Sequence, residues 1–512
     1  MADAPRAVPP GTPSTVFVSV VIPTYRPGEA FVRLLASLRG QTLPAERFEV
    51  LVIDDGSPAS ESAAIAGLVR EQPNARFLRI EHTGWPSAPR NAGIELARGE
   101  YVLFVDHDDE LYPLSLATAM ETLERTRADV FAGKEARTDQ AKWALDAFDG
   151  DYDDATVRGG IHPLVPTNPH KLYRTALLRD HGIRFPEGGR QLWEDVVFNV
   201  DVARSMNSVS IRADEPFYHW VREQNTTSTT FGDDLEEWWV ALERIVRHIA
   251  TALDAPELHA QRDLLLLHQF RERVLPAVGP GLLRRSPGDR ALVLAHARTL
   301  VDGFLDPQLQ ARLPRHLSGR AHLLRAGRLD LVEALAAYDD GILGVSFATA
   351  AQVGADIRLE TKTLWTAHHG GFLDLVVDGD HVRRALPRPL TDALGDLVEL
   401  DDDLAAASTR IGLRSQDTKM TWLVPTETKV KVDAQPGYPD VTATSVALIA
   451  PEALRFGQPM SPGRWDFNAR NELFGVVNQR AIRAVGRFDR NPNGRDLHVY
   501  ENIHGNLSLH VR

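Results

Sequence analysis

The stretch that decides the fold is GEYVLFVDHDD, residues 99–109. Its apolar part, Tyr101–Val105, is a β-prone run of the kind expected for a strand buried on both faces. Three carboxylates follow within four residues, at Asp106, Asp108 and Asp109. We therefore expect a buried strand that delivers an acidic cluster to its carboxyl end.

The residues before this stretch alternate between strand-like and helix-like patterns. Apolar runs predict strands at Val16–Ile22, Phe48–Ile53 and, more weakly, Arg76–Ile80, and helical spacing predicts helices at Glu29–Arg39, Ser60–Arg70 and Asn91–Ala97. Such alternation favours βαβ units and a mostly parallel sheet. Ligands of open α/β sheets bind outside the carboxyl ends of the strands. The polar residues that follow the strands at 23–25, 54–57 and 106–109 are therefore expected to share one edge.

Composition narrows the function classes. The 512 residues are 43% hydrophobic and 25% charged, which is ordinary for a folded protein, and the net charge of −13 argues against general nucleic-acid binding. There is no cysteine, so disulfides and Cys-ligated metals are excluded and any metal needs oxygen or imidazole ligands, which suits Mg²⁺ or Mn²⁺. Residues 1–15 are interpreted as a disordered leader. Without a long apolar run, no transmembrane helix is expected, and the predicted location is the cytoplasm, with peripheral association at the inner membrane face left open.

Three regions follow the leader. Residues 16–232 carry the α/β pattern, residues 233–342 are predicted to be a helical linker, and residues 343–512 read as short strands among turns, a β-rich C-terminal domain.

Each polar cluster has a functional and a structural interpretation. The acidic cluster at 106–109 fits a divalent cation that bridges a diphosphate, or an acidic solvated turn. Residues 54–57 fit a contact to a base or ribose, or an Asp-Gly turn. Arg90 fits a diphosphate contact, or a solvated loop residue. Glu194 and Asp195 fit a catalytic base, or acids that complement a helix dipole.

Taken together, these residues resemble the inverting nucleotide-sugar glycosyltransferases of family 2, which have the GT-A fold. The matching pieces, in order, are Val20–Tyr25, Val52–Ser57, Pro89–Asn91, Gly99–Asp109 and Glu194-Asp195. The match covers residues 16–230, about the first half of the chain.

The resemblance implies roles for the donor-site residues. Pro23 and Tyr25 would line the nucleotide pocket, Asp55 would hold the uracil or ribose, and Arg90 would lie near the nucleotide or diphosphate. Asp106 would contact the nucleotide sugar and share the metal site.

The resemblance also implies the chemistry. Asp108, the second acid of the Asp-x-Asp motif, would be the direct metal ligand. Asp195 would be the general base, with Glu194 beside it, and direct displacement with one base implies inversion at the anomeric carbon.

A narrower likeness concerns the bacterial wall teichoic acid glycosyltransferases, which attach N-acetylglucosamine from UDP-GlcNAc to poly(ribitol phosphate) and some of which are trimers. It rests on Gly84–Asn91, Pro166-Thr167, Lys171–Thr175, Phe185–Glu187 and Glu194-Asp195. These relatives carry a metal-binding histidine in a loop after the base, whereas residues 222–227 here contain no histidine. The resemblance therefore leaves three alternatives: His219 is the substitute ligand, Asn225 is, or the metal site is looser.

The resulting prediction is a hexosyltransferase that moves a sugar from a UDP-sugar donor onto a polyol-phosphate cell-wall polymer. Partners implied by the resemblance are the polymer acceptor, cell-wall precursors at the membrane and further copies of the chain, bound through the C-terminal domain. A polyanionic acceptor further predicts a basic path formed by Lys171, Arg174 and Arg190. The alternatives are a glycosyltransferase for a small secondary metabolite or antibiotic, and a non-catalytic carbohydrate-binding protein.

Overall fold

The computed structural model describes residues 16–222, 234–367, 371, 373–379, 381–435, 438–488 and 497–512. The predicted leader, residues 1–15, lies outside the described residues. The chain divides into two compact units, of which the first comprises residues 1–134, 151–157 and 163–221, and the second comprises residues 135–150, 158–162 and 222–512.

The first unit is built on an eight-stranded sheet with the strand order β3-β2-β1-β4-β7-β6-β8-β5. The strands are β1 Val18–Thr24, β2 Phe48–Asp54, β3 Ala75–Arg79, β4 Tyr101–Phe104, β5 Glu110–Leu111, β6 Val130–Arg137, β7 Leu172–Arg174 and β8 Val209–Trp220. The helices are α1 Ala30–Arg39, α2 Ala59–Arg70, α3 Ser87–Leu96, α4 Ser115–Thr126, α5 Thr175–Asp180 and α6 Glu194–Ser205.

The sheet is parallel on one side and antiparallel on the other. Strand β1 pairs in parallel with both β2 and β4, and β2 pairs in parallel with β3. Strands β7 and β8 add antiparallel pairs with β4 and β5. Every residue of β1, β2 and β4 is buried, as their apolar runs predict for strands covered on both faces. The predicted α/β fold class is therefore confirmed.

Helix α3 begins earlier than the sequence predicts. The spacing predicts a helix only from Asn91, with Arg90 as a loop residue in one interpretation, but the helix starts at Ser87. Pro89 is accommodated because it lies in the first turn, where the backbone N–H that it lacks has no helical partner. The helix also packs closely on β1, since a Cβ added at Gly93 would lie 2.2 Å from Val21 Cγ1. Arg90 is thereby fixed in a buried first turn instead of a surface loop.

The second unit contains the predicted helical stretch followed by the predicted β-rich region. Its first helices are α7 Leu235–Ala252, α8 His259–Gln269, α9 Leu275–Ala277, α10 Pro287–Phe304, α11 Pro307–Ala311, α12 Arg315–Arg325 and α13 Leu329–Asp339. None of the helices that the described ranges contain is long and apolar enough to cross a membrane.

The C-terminal part of this unit is mostly antiparallel. Its elements are β9 Leu343–Val353, β10 Ile357–Thr366, β11 Leu375–Asp378, β12 His381–Arg384, α14 Arg388–Leu394, α15 Asp401–Ala405, β13 Ser408–Ser415, β14 Thr421–Val424, β15 Thr426–Gln435, β16 Tyr438–Ile449, β17 Gly463–Leu473, β18 Val476–Ala481, β19 Arg483–Phe488, β20 Leu497–Glu501 and β21 Leu507–Val511. They form a five-stranded sheet, β15-β16-β10-β9-β19, a six-stranded sheet, β14-β13-β17-β21-β20 with β18 beside β17, and the pair β11-β12.

Residues 135–150 belong to this second unit, although they include the last three residues of β6 and follow directly from that strand. Asp146 forms ion pairs with Arg410 on β13, at 2.9 Å, and with Arg470 on β17. Arg414 donates to the carbonyl oxygens of Arg137 and Thr138, at 3.2 and 2.8 Å. Arginines of the C-terminal sheet thus hold the segment 135–150, which comes from the first half of the chain. Local sequence patterns could not reveal contacts between residues so far apart in sequence.

Candidate active site

The carboxyl ends of β2, β1 and β4 are neighbours, so the polar residues that follow them meet at one edge. The register aligns Pro23 with Ile53 and Thr24 with Asp54, and β4 lies on the other side of β1. Pro23 is buried within β1, and its carbonyl oxygen lies 3.3 Å from His107 Nδ1. The edge predicted from the strand ends is present in the fold.

Asp55 organises a loop beside this edge. Its Oδ1 accepts hydrogen bonds from the backbone N–H and hydroxyl of Thr83, both at 2.8 Å, and its Oδ2 accepts from the Gly84 N–H at 2.9 Å. The loop holds His82, whose Nδ1 lies 2.7 Å from the Asp55 carbonyl oxygen. The His82 ring stacks on that of Tyr25, with 4.4 Å between centroids, and Tyr25 is 39% exposed. Of the predicted nucleotide residues, Tyr25 therefore forms an aromatic pair open to solvent with His82, which the sequence did not single out, and Asp55 shapes the loop.

Arg90 joins two of the predicted acidic residues. Its Nη2 lies 2.7 Å from Asp106 Oδ1, and its Nη1 lies 2.8 Å from Glu194 Oε1. The guanidinium is buried, and its central carbon stands 5.1 Å from the centroid of the Phe185 ring. Arg90 of helix α3 thus connects the end of β4 to the beginning of α6. This brings the acidic cluster into one site with Glu194 and Asp195, the predicted general base and its neighbour.

Glu194 and Asp195 form the first turn of α6, after Trp193 in the left-handed conformation. Glu194 is buried, and burial together with the neighbouring Asp195 charge raises the pKa of Glu194 to about 7, although Arg90 opposes the shift. Asp195 is only partly buried. The pair therefore divides into an inner acid that meets Arg90 and a more accessible acid, as one expects if Asp195 meets the substrate.

The acidic cluster at the end of β4 is a turn whose first and fourth side chains converge. The backbone N–H of Asp109 donates to the carbonyl oxygen of Asp106 at 3.1 Å, which closes the turn. Burial and the adjacent Asp108 charge raise the pKa of Asp109 well above its usual range. Burial alone would also raise the pKa of Asp106, but Arg90 and His170 outweigh it and lower that pKa. The three carboxylates are thus close enough to repel one another, and the positive charge nearby offsets this repulsion only in part.

A histidine that the sequence did not single out completes this cluster. His170 Nε2 lies 3.9 Å from Asp106 Oδ2, and ligand atoms of Asp106, Asp109 and His170 all lie within 4.8 Å of one another. Carboxylate and imidazole groups at this separation fit a divalent cation, and no thiolate competes. Asp108 is partly buried and does not belong to this trio, so its role as direct ligand stays a prediction.

Of the two residues offered as substitute ligands, His219 lies away from this cluster. His219 is paired with Glu110 across β5 and β8, with its Nδ1 4.0 Å from Glu110 Oε2, and its ring lies 5.9 Å from that of Tyr112. Asn225 lies outside the described residues.

Two of the three residues proposed for a basic path are engaged inside the protein. Lys171 is fully buried, and its ammonium group donates to the Pro166 carbonyl at 2.5 Å and to the carbonyl and side-chain oxygens of Asn168 at 3.0 and 3.1 Å. Arg174 pairs with Glu100 and Asp129 at 3.1 and 3.3 Å. Both are therefore corrected to structural cations. Arg190 is exposed, with its guanidinium carbon 5.5 Å from the centroid of the Trp85 ring.

Comparison with known proteins identifies the domains. Residues 19–177 match the family model of glycosyl transferase family 2. Residues 235–336 match the model of the glycosyl transferase TarS linker domain. The resemblance to family 2 is thereby confirmed, and the predicted helical linker matches a linker domain of the TarS type.

Two similar proteins are named as poly(ribitol-phosphate) glycosyltransferases. The chain is 30% identical over 258 residues to poly(ribitol-phosphate) beta-N-acetylglucosaminyltransferase TarS of Staphylococcus aureus, covering 50% of this chain and 44% of the relative. It is 28% identical over 262 residues to poly(ribitol-phosphate) beta-glucosyltransferase of Bacillus spizizenii, covering 50% and 40%. The matched region thus spans less than half the length of either relative.

Solved structures extend the likeness of the fold. Staphylococcus aureus TarS 1-349 in complex with UDP-GlcNAc aligns with a TM-score of 0.55 and 25% identity, over 63% of this chain and 90% of that one. The longer TarS structure aligns with a TM-score of 0.55 over 97% of this chain and 85% of that one, at 20% identity, which supports the fold alone. The predicted order of GT-A domain, helical linker and β-rich region is confirmed.

Proposed function

Because the chain carries a family 2 glycosyltransferase domain followed by a linker domain of the TarS type, we propose that it is an inverting, metal-dependent glycosyltransferase. It transfers N-acetylglucosamine from UDP-GlcNAc to a hydroxyl group of a polyol-phosphate polymer. One observation carries the proposal: Arg90 bonds to Asp106 and to Glu194, so the acidic end of β4 and the beginning of α6 meet in one buried junction.

The donor nucleotide binds at the edge that carries Pro23, Tyr25 and Asp55. The Tyr25 and His82 rings, stacked at 4.4 Å, offer a flat surface for a base. Asp55 acts through the loop at residues 82–84, whose backbone it holds by hydrogen bonds, and the uracil or ribose meets that loop.

Asp195 is the general base. It removes the proton from the acceptor hydroxyl as oxygen attacks the anomeric carbon from the face opposite the UDP, which inverts the configuration there. Glu194 and Arg90 hold the first turn of α6 in position. Because Glu194 is buried and paired with Arg90 while Asp195 is more accessible, the base is assigned to Asp195.

The carboxylates that follow β4 fit a divalent cation, either Mn²⁺ or Mg²⁺. Asp108 is the proposed direct ligand and Asp106 shares the site, and ligand atoms of Asp106 and Asp109 lie within 4.8 Å of each other, so that Asp109 can contribute as well. When bound, such a cation supplies positive charge to the departing diphosphate. The 2.7 Å contact between Asp106 Oδ1 and Arg90 Nη2 orients the Asp106 side chain for cation binding.

A polyol-phosphate acceptor is favoured by the two relatives named above, which share poly(ribitol-phosphate) in their names and differ in the sugar, N-acetylglucosamine in one and glucose in the other. Arg190, which is exposed, is the remaining cation of the predicted basic path. Peripheral contact with membrane-bound precursors and self-association through the C-terminal region complete the proposal.

The decisive experiment measures UDP release from UDP-GlcNAc and from UDP-glucose with Mn²⁺, with and without poly(ribitol phosphate). The variants are Asp108→Ala for the metal, Asp195→Asn for the base, and Asp180→Asn as a control that neutralises an exposed carboxylate at the end of α5. We expect polymer-stimulated release that the first two variants lose by roughly a hundredfold or more and the control keeps.

Other outcomes redirect the assignment. Normal turnover by a folded Asp195→Asn variant would refute the base. Slow hydrolysis that depends on Asp108 but is not stimulated by polymer would point to a small acceptor, such as a secondary metabolite. Binding of UDP-sugars without turnover on any acceptor would indicate a carbohydrate-binding protein.

A further inference from the structure

We propose that His170 supplies an imidazole ligand to the divalent cation of the donor site and shifts the preference of that site from Mg²⁺ toward Mn²⁺. The inference rests on the proposed function, since the cation is the one that the transferase would use. It adds a ligand that comes from the loop before β7, a part of the chain separate from the acidic turn.

The first step is distance. His170 Nε2 and Asp106 Oδ2 lie 3.9 Å apart. Around an octahedral cation with ligand distances of about 2.1 Å, donor atoms are separated by roughly 3 Å when adjacent and by roughly 4.2 Å when opposite. The observed separation falls between these values, and it exceeds that of a direct hydrogen bond. The two atoms can therefore share a cation after a small adjustment, with Asp109 as the third member of the trio.

The second step is the fixed position of the ring. His170 is 3% exposed and lies parallel to the Tyr218 ring, with 3.8 Å between centroids and 8° between planes. Trp220 approaches it edge-on at 5.9 Å. Tyr218 also donates from its hydroxyl to Asp109 Oδ2 at 2.6 Å. One aromatic residue of β8 thus positions both His170 and Asp109, which is how metal sites orient their ligands.

The third step is the rigidity of the loop that carries His170. The buried Lys171 ammonium gathers the oxygens of Pro166 and Asn168 around itself. Asn199 of α6 donates to the carbonyl oxygens of Thr167, at 3.0 Å, and of Asp195, at 2.9 Å. The loop is therefore anchored to the helix whose first turn holds the proposed base, and His170 is held in position before a cation binds.

The fourth step separates His170 from His219. Successive side chains of a strand point to opposite faces, so His219 points away from the face of β8 on which Tyr218 and Trp220 meet His170. Its contacts agree, because they are with Glu110 and Tyr112. Of the two histidines, only His170 lies with Asp106 and Asp109.

Imidazole in place of oxygen changes selectivity. Mg²⁺ is a hard cation that prefers oxygen ligands, whereas nitrogen donors are better tolerated by transition metals. A site of carboxylates alone would bind Mg²⁺ and Mn²⁺ by charge and size. With His170 as a ligand, the binding affinity for Mn²⁺ rises more than the binding affinity for Mg²⁺.

The test uses the full chain and measures free Mn²⁺ by electron paramagnetic resonance, with Mg²⁺ as competitor, in the absence and presence of UDP. The variants are His170→Gln, His170→Asp, which makes an all-oxygen site, and His219→Gln as the matched control. We expect His170→Gln to weaken Mn²⁺ binding by about tenfold or more and His219→Gln to leave it unchanged. His170→Asp should keep Mg²⁺ binding and lower the ratio of Mn²⁺ to Mg²⁺ affinity.

The two proposals fail in different ways. If wild-type protein binds Mn²⁺ through His170 but neither binds nor hydrolyses UDP-sugars, the proposed glycosyltransferase function is refuted. The proposal that His170 is a cation ligand then still holds. Unchanged Mn²⁺ affinity and an unchanged Mn²⁺ to Mg²⁺ ratio in folded His170→Gln and His170→Asp proteins would overturn the ligand and keep the function. Wild-type protein that binds no Mn²⁺, with or without UDP, also overturns the ligand.

Discussion

Replacement of Arg90 by alanine should destabilise the first unit, because Arg90 is a buried brace between two acids. The side chain is 4% exposed, and its partner Glu194 is 9% exposed, whereas Asp106 is 35% exposed. Removal of the guanidinium leaves Glu194 buried beside Asp195 without its countercharge. The more exposed Asp106 recovers water and contributes little.

The expected size follows from burial. At a pH well above 7, where Glu194 is ionised, breaking its buried ion pair by removing Arg90 costs about 3–5 kcal/mol. For a unit of this size, each kcal/mol lowers the melting temperature by roughly 2–4 °C, so Arg90→Ala should melt about 6–20 °C below the wild type. Because Glu194→Gln removes the stranded charge, the double variant should lose less than the two single variants together, with a coupling free energy of about 0.5–3 kcal/mol.

The assay is scanning calorimetry of the four proteins of this cycle, together with titration calorimetry of UDP. The reasoning predicts that Arg90→Lys, which keeps the charge but not the fork, falls between wild type and Arg90→Ala. If Arg90→Ala melted within a degree or two of the wild type and lost only UDP affinity, the brace would be refuted and Arg90 would be a direct contact of the donor.

Three further predictions concern pH and the donor loop. Since the pKa of Glu194 is raised to about 7, kcat/KM should fall as pH drops below 7 and its partnership with Arg90 weakens, and Glu194→Gln should flatten that limb of the pH profile. Asp55→Asn should raise the KM for the donor and lower stability by about 1–3 kcal/mol, as measured by kinetics and denaturant melts, because a neutral amide replaces a carboxylate that accepts three hydrogen bonds. Burial, with nearby arginines, lowers the pKa values of His268 and His316 from 6.5 to about 3, so the second unit should lose stability as pH falls from 6.5 toward 3, by up to about 1.4 kcal/mol per pH unit for each histidine. Denaturant melts of the full chain at pH 7 and pH 5 check this, and equal stabilities would contradict it.

The parts of the site that follow parallel strands were predictable from the sequence. A buried apolar run ends where polar residues begin, and parallel neighbours end at the same edge, so Asp55 and Asp106 could be assigned to one region without a structure. The start of α3 was not predicted because two prolines, Pro86 and Pro89, favour a loop when only the sequence is read. Proline is nevertheless tolerated in the first turn of a helix.

The contributions from antiparallel strands could not be predicted in this way. His170 reaches the acidic turn because β7 pairs with β4 in a register that aligns Leu172 with Leu103, a contact between residues far apart in sequence. Lys171 and Arg174 misled the prediction of a basic path for a related reason. Charge in a sequence gives no sign of whether carbonyl oxygens and distant carboxylates will enclose it.

Two long-range links fix the reacting groups before a substrate arrives. Arg90 ties the end of β4 to the first turn of α6, and Asn199 ties that helix to the loop that bears His170. The proposed base and the proposed cation ligands therefore belong to one rigid framework, and binding need not assemble them. By contrast, the accessible surface near the site comes from residues such as Tyr25, His82 and Arg190, which these links do not hold. Differences in donor or acceptor among related chains should accordingly arise from such exposed residues, while the buried links set the geometry of the reaction.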